Sequence, residues 1–405
     1  MGAYGESKDS LDNLGSLVSS KIVTKSLSNN FKNSDGWIDN SFSGSSSFED
    51  TGSFLQGTQS IRLTGNINGN QAAILISNQN LDMTGKYFVM ICKINEPDYL
   101  LNLQIQISSD LFVNWSFFDV AFDKSIFKDK NQYIVVPLTW GMIQNVGSGV
   151  LRNSITQIQV KAVSNGTGEI IANVDSILIV DEILTEGFVS LCFDDGHEST
   201  KLKALPIMNG KDMQSSYRGT IYTEENLTGT SPYLSLQDLK DFVNIHRWEI
   251  GGHGINSLEN LTDVELNLEF LRVKNWLATN GLLSKISTYA YPNGYFNNKI
   301  KEIISKYFHG ARSIVEHKCE IVPSFSPYTL RIRNVTNADT TGSIIVDIQN
   351  AKATNCWLIL VFHGIVDNNP SLTDTLTSDF QIIVDGIRTE LIKVKPVNEV
   401  LQMGV

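Results

Sequence analysis

Between Phe31 and about Ile183 the chain alternates apolar and polar residues in short runs: "SIRLTG", "AAILIS", "KYFVMICKI", "LLNLQIQIS", "QYIVVPL", "ITQIQVKAV" and "DSILIVDEI". Clusters of Gly, Asn, Asp and Ser separate them. A period of two sends successive side chains to opposite faces, so the pattern predicts an antiparallel, jelly-roll-like β-sandwich. The pattern changes near residue 184. Continuous apolar runs ("FVSLCF", "WEIGG", "ISTYAYP", "GARSI", "WLILVFH") then alternate with helically spaced stretches such as "SLQDLKDFVNI", "DVELNLEFLRVKNWLATN" and "DFQIIVDGIRTELI". Repeated strand and helix units with apolar strands predict a parallel sheet covered by helices, closed as a (β/α) barrel. Residues 1–30 are polar and carry only a weak apolar periodicity, so they read as a leader or attachment segment. The expected organisation is therefore 1–30 leader, 31–184 sandwich and 185–405 barrel.

Bulk properties narrow the function. At 405 residues the chain is long enough for two cores, and 41% hydrophobic with 19% charged residues describes a globular protein. No apolar run approaches the roughly 20 residues that cross a bilayer, so membrane insertion is not expected. A net charge of −11 without a basic cluster repels phosphate backbones, which argues against nucleic acid as a partner. Cys92, Cys192, Cys319 and Cys356 show no C-x-x-C spacing and read as free, mostly buried thiols. The start, "MGAYGESKDSLDNLGSL", lacks the basic-then-apolar grammar of a signal peptide.

Chemistry gathers at strand ends. Asp194 and Asp195 follow "VSLCF", His253 follows "WEIGG", the turn Tyr291, Pro292, Asn293, Gly294 follows "ISTYA", and His363 follows "WLILVF". Singly, each has a bland explanation: an aspartate pair caps a helix, a lone histidine sits satisfied in a loop, and "YPNG" makes a turn. Jointly they point elsewhere. In a parallel barrel the C-terminal strand ends share one face, where residues distant in sequence converge on a site.

The segments "FDDG", "EIGGHGINSLENLT", "YAYPNG", "HGARS" and "WLILVFHGI" resemble the polysaccharide deacetylases of carbohydrate esterase family four, the NodB homology domain, over about Gly187–Leu401. The resemblance implies a distorted barrel of about seven strands and a metal-dependent hydrolase that removes acetyl groups from an extracellular polysaccharide. It implies Asp194 as general base, Asp195 and His253 as metal ligands, and His363 as general acid. The family's second histidine ligand falls on Ser257, whose hydroxyl is a poor donor. The expectation is thus a weakly held divalent ion, zinc by family, with Asn256 or His197 as replacement ligands. Where many members carry an Arg before the proline turn, Ala290 and Tyr291 stand, and Arg312 is expected to reach Asp194 instead. Residues Tyr291 to Gly294 are expected to face substrate.

The residue types suit amide or ester hydrolysis, since a metal lowers the pKa of bound water from about 15.7 to about 7 while a free carboxylate and a histidine move protons. A binding protein that kept the fold and lost the metal, such as a phage tail component, is the alternative, with a magnesium phosphatase behind it. The first half is similar to jelly-roll carbohydrate-binding modules, with Trp37, Trp115, Phe117, Phe118 and Trp140 as candidate sugar platforms set against a core role. The expected location is extracellular or virion-associated, with self-assembly or attachment to a larger particle through the leader.

Overall fold

The computed structural model describes residues 23–28, 31, 35–55, 57–121, 123–127, 129–209, 217–255, 257–316 and 319–403. The chain divides into two compact units, Met1–Glu182 and Ile183–Val405.

The first unit is built from β1 (Val23–Ser28), β2 (Trp37–Asp39), β3 (Ser46–Asp50), β4 (Ser60–Gly65), β5 (Gln71–Ile76) and β6 (Lys86–Ile94). It continues with β7 (Leu100–Ser108), β8 (Trp115–Asp119), β9 (Ile134–Leu138), β10 (Gln144–Val146), β11 (Gln157–Ser164) and β12 (Ile170–Asp181). They form two antiparallel sheets, β3-β4-β12-β6-β9 with β1 on β12, and β10-β8-β7-β11-β5-β2. Val23–Ser28, placed in the leader by sequence, instead adds a strand to the first sheet, pairing with β12. The earlier part of that leader, residues 1–22, lies outside the described residues.

Alternation along these strands decides which aromatics are core. Trp37, Phe118 and Trp140 are buried, Phe118 packing edge-on against Trp140 at 5.3 Å and against Phe88 at 5.8 Å. They cannot serve as sugar platforms. Trp115 and Phe117 occupy the opposite face of β8 and stay half-exposed, their rings 5.3 Å apart.

The second unit is a closed parallel barrel. Its strands are β13 (Phe188–Phe193), β14 (Thr220–Thr223), β15 (Glu249–Gly252), β16 (Thr288–Ala290), β17 (Gly310–Glu316), β18 (Leu330–Asn334) and β19 (Trp357–Phe362). Pairing runs β14-β15-β16-β17-β18-β19-β13, and β13 pairs again with β14 to close the ring of seven. Short β20 (Ile365–Val366) and β21 (Thr375–Leu376) pair with each other, and β22 (Lys393–Val394) lies parallel to the start of β13.

Helices α1 (Leu205–Asn209), α2 (Leu236–Asn244), α3 (Asp263–Thr279), α4 (Asn298–Ile304), α5 (Thr341–Ala353), α6 (Thr377–Glu390) and α7 (Val397–Gln402) intersperse the strands. Reciprocal capping boxes start α2 at Ser235/Asp238 and α3 at Thr262/Glu265. Phe188, Cys192, Tyr222, Ala290, Leu330, Ile332, Trp357, Ile359 and Val361 form one buried cluster with Val397, Val400 and Leu401 of α7. Phe193 and Phe362, one residue out of phase with that cluster, stack at 5.7 Å and meet Phe380 of α6.

The four-thiol expectation is corrected for two residues. Cys319 and Cys356 form a disulfide with Cα atoms 5.7 Å apart, while Cys92 and Cys192 are buried free thiols. Reciprocal backbone bonds bring the halves together, Glu320 N–H donating to Trp357 O at 2.7 Å and Trp357 N–H to Glu320 O at 2.9 Å.

Candidate active site and metal centre

Period-two alternation carries the barrel's inward face up to its mouth. On β13 the inward residues Phe188 and Cys192 lead to Asp194; on β19, Trp357, Ile359 and Val361 lead to His363. The same step from Thr220 and Tyr222 reaches Glu224, and from Glu249 and Gly251 it reaches His253. Asp195 breaks the sequence of alternation. Its backbone is left-handed at φ 62°, followed by Gly196 at φ 70°, so the chain turns and the carboxylate re-enters the site. A Cβ at position 196 would lie 2.7 Å from Thr223 Oγ1, which makes glycine the residue that fits.

The two aspartates acquire different neighbours. Asp194 is buried, ion-paired with Arg312, and 3.7 Å from His363 Nε2 through the same oxygen, Oδ2. Its Oδ1 and His363 Nδ1 have no hydrogen-bond partner among the described residues. Arg312 is 1% exposed and lies 4.9 Å above the Tyr222 ring, so a full cation is buried beside the carboxylate. Asp195 faces the other way chemically, with Oδ1 3.3 Å from His253 Nε2 and Oδ2 3.5 Å from His197 Nε2. Burial opposes its ionisation, yet hydrogen bonds from His197 and His253 outweigh that and hold its carboxyl well below the usual range.

One ligand atom each from Asp195, Glu224 and His253 lies within 4.8 Å of the others, a spacing suited to a shared cation. His253 Nδ1 sits 2.9 Å from Ala290 O and donates its proton there, which leaves Nε2, the nitrogen facing Asp195, as the atom that would ligate an ion. Burial raises the Glu224 carboxyl above its ordinary value, with Asp195 adding to the effect and His253 opposing it. Three carboxylates, Asp194, Asp195 and Glu224, thus converge with one buried guanidinium among them. The donor set fits a divalent ion.

Sequence reasoning missed Glu224, although alternation along "TIYTE" from β14 already aimed it at the mouth. Ser257, expected at the second histidine's place, is exposed; Asn256 lies outside the described residues. His197 contacts Asp195 and stacks on Tyr233 at 5.1 Å, forming a wall beside the carboxylates. In the proline turn only Asn293 is exposed; Tyr291, Pro292 and Gly294 are buried. Tyr291 donates its hydroxyl to Tyr328 O at 2.9 Å and its amide to Arg312 O at 3.2 Å, so the turn braces the strands around the site.

Residues 182–309 match the family model described as polysaccharide deacetylase, a span that includes Asp194, Asp195, Glu224 and His253 and ends before Arg312 and His363. No curated protein matches the chain. Among solved structures, the Streptococcus pyogenes deacetylase PplD in complex with acetate is 22% identical, with 36% of this chain and 64% of that one covered, at a TM-score of 0.30. A polysaccharide deacetylase from Bacillus cereus is 10% identical, with 62% and 86% covered, at 0.30. A family 11 carbohydrate-binding module from Clostridium thermocellum, in complex with a mixed-linked tetrasaccharide, is 12% identical, with 39% and 96% covered, at 0.30.

Proposed function

We propose that the barrel carrying the polysaccharide deacetylase domain at 182–309 hydrolyses acetyl groups from a polysaccharide, using a divalent ion held by Asp195, Glu224 and His253. The observation that carries this reading is the convergence of those three groups with the separate pair Asp194 and His363 at one end of the barrel. The ion, when bound, supplies Lewis acidity toward water and the acetyl carbonyl. Asp194 takes the proton from the attacking water, its carboxylate kept in place by Arg312. His363, whose Nε2 lies 3.7 Å from Asp194 Oδ2, returns a proton to the departing amine or alkoxide through Nε2. Asp194 does not need to bind the ion for this. Its free Oδ1 is the acceptor.

Work outside the reducing cytosol belongs to the proposal, supported by the Cys319–Cys356 bridge. So does glycan contact by the sandwich. On the face of its second sheet opposite Phe118, half-exposed Trp115 and Phe117 neighbour a buried amide ladder in which Gln106 donates to Gln104 at 2.8 Å and Gln159 to Gln106 at 2.7 Å. Aromatic faces beside amides suit neutral sugars. The test is acetate release from N-acetylglucosamine oligomers, peptidoglycan and O-acetylated capsule, with metal-free protein and after adding Zn²⁺, Mn²⁺ or Co²⁺. Metal-dependent release, abolished by Asp194→Asn, is expected. No release from any substrate at any metal concentration overturns the enzyme reading.

A further inference from the structure

Two of the three proposed ligands sit on separate loops. Glu224 begins the loop after β14, and His253 the loop after β15. At this point the backbones meet where His253 N–H donates to Thr223 O at 3.3 Å. Glu224 itself is half-buried.

A single guanidinium bridges the two loops from α3. Arg272 forms an ion pair with Glu225, the residue next to Glu224, and donates through Nη2 to Glu269 Oε1 at 2.7 Å. The same Oε1 accepts from the backbone N–H of Ile255 at 3.2 Å, two residues beyond His253. Glu269 is 4% exposed, so its charge is compensated by these donors rather than by water. Between them Gly254, at φ 76°, passes so close that a Cβ would lie 2.9 Å from Glu269 Oε1 and 2.3 Å from Tyr289 Oη. The loop is therefore pressed onto the clamp.

We infer that Arg272, with Glu225 and Glu269, is a positioning device that sets the spacing between Glu224 and His253 and thereby the affinity of the metal centre; this rests on the metal-centre reading above. None of the three belongs to the proposed ligand set. They act as outer partners do in metal sites, where loss of one lowers affinity by about 10- to 100-fold.

The test uses the full chain, stripped of metal, with Zn²⁺ and Mn²⁺ binding followed by calorimetry. Arg272→Met and Glu225→Gln are each expected to weaken binding about tenfold or more, the double variant no further than the worse single, and Arg272→Lys to recover part of the loss. A merely structural ion pair would lower the thermal midpoint of the metal-free protein and leave the affinity of the folded molecules alone. Affinity within twofold of wild type in Arg272→Met overturns the inference. If that variant does not fold, Glu225→Gln, altering a half-buried side chain, decides in its place. Wild-type protein that binds neither ion removes the metal centre itself, a result distinct from intact binding in the variants.

Discussion

Replacing Cys319 and Cys356 by Ser opens a bridge that closes a sequence separation of 37 residues, running from the end of β17 through β18 and α5 to the start of β19. In the chain-entropy treatment a loop of that length restricts the unfolded state by about 4 kcal/mol at 25 °C. For a unit of this size each kcal/mol moves the thermal midpoint by about 2–4 °C, so the double variant should melt about 8–16 °C lower. Reduction of the wild type should reproduce the loss. Acetate release at 25 °C should survive, because the bridge lies at the start of β19, six residues of strand away from His363. Calorimetry gives the midpoint, and alkylation in denaturant counts thiols: two in the untreated protein, Cys92 and Cys192, and four after reduction. Four alkylated cysteines without reductant, or a midpoint unchanged in the double variant, would refute the reasoning.

Glu224→Gln is expected to lower metal affinity at least tenfold whereas Ser257→Ala leaves it within twofold; equal effects in a metal titration would put Ser257 back among the ligands. Arg312→Met strips the buried partner from Asp194 and should destabilise the barrel by about 3–5 kcal/mol and remove most turnover, read by urea unfolding and acetate release. A variant as stable as wild type would show the pair to be solvated. Burial pushes the Glu249 carboxyl up to about 7, although Thr288, Asn398 and Thr220 donate hydrogen bonds to it. The folded state then holds that proton more tightly than the unfolded chain between pH 4.5 and 7, so the associated stability is complete below 4.5 and lost as pH rises through 7. Relative to wild type, Glu249→Gln should gain roughly 3 kcal/mol between pH 4 and 8; a difference independent of pH in paired unfolding curves argues against it.

Both fold classes were readable because each half keeps one period: two residues in the sandwich, and apolar strands alternating with helices in the barrel. What escaped had physical reasons. The run "LRIRN" of β18 was overlooked since two of its five residues are arginines. Leu330 and Ile332 enter the core, while Arg331 is neutralised by buried Glu320 at 2.6 Å and Arg333 by Asp339 and Asp347, partners no local pattern reveals. The disulfide escaped for the same reason, because its halves meet through strand pairing at long range. At the site, Asp194, His253 and His363 stood out as strand-end residues, and Glu224 was hidden among common surface glutamates. Its alternation with Tyr222 was the available signal. Asp195 stood out with Asp194 at the strand end, but its turn into the site rests on a left-handed backbone that the parity rule does not foresee.

The bond between His253 Nδ1 and Ala290 O has a bearing on how such a site can drift. Where an outer carboxylate orients a ligating histidine, one point mutation can erase the orientation. Here the acceptor is a peptide carbonyl at the end of β16, which every residue type at 290 would provide. The imidazole's tautomer is thus heritable with the sheet register, immune to exchange of the neighbouring side chain. A lineage could lose Glu224 or His363, fall silent as a catalyst, and still present a correctly turned imidazole, leaving reactivation a matter of restoring side chains on an intact frame.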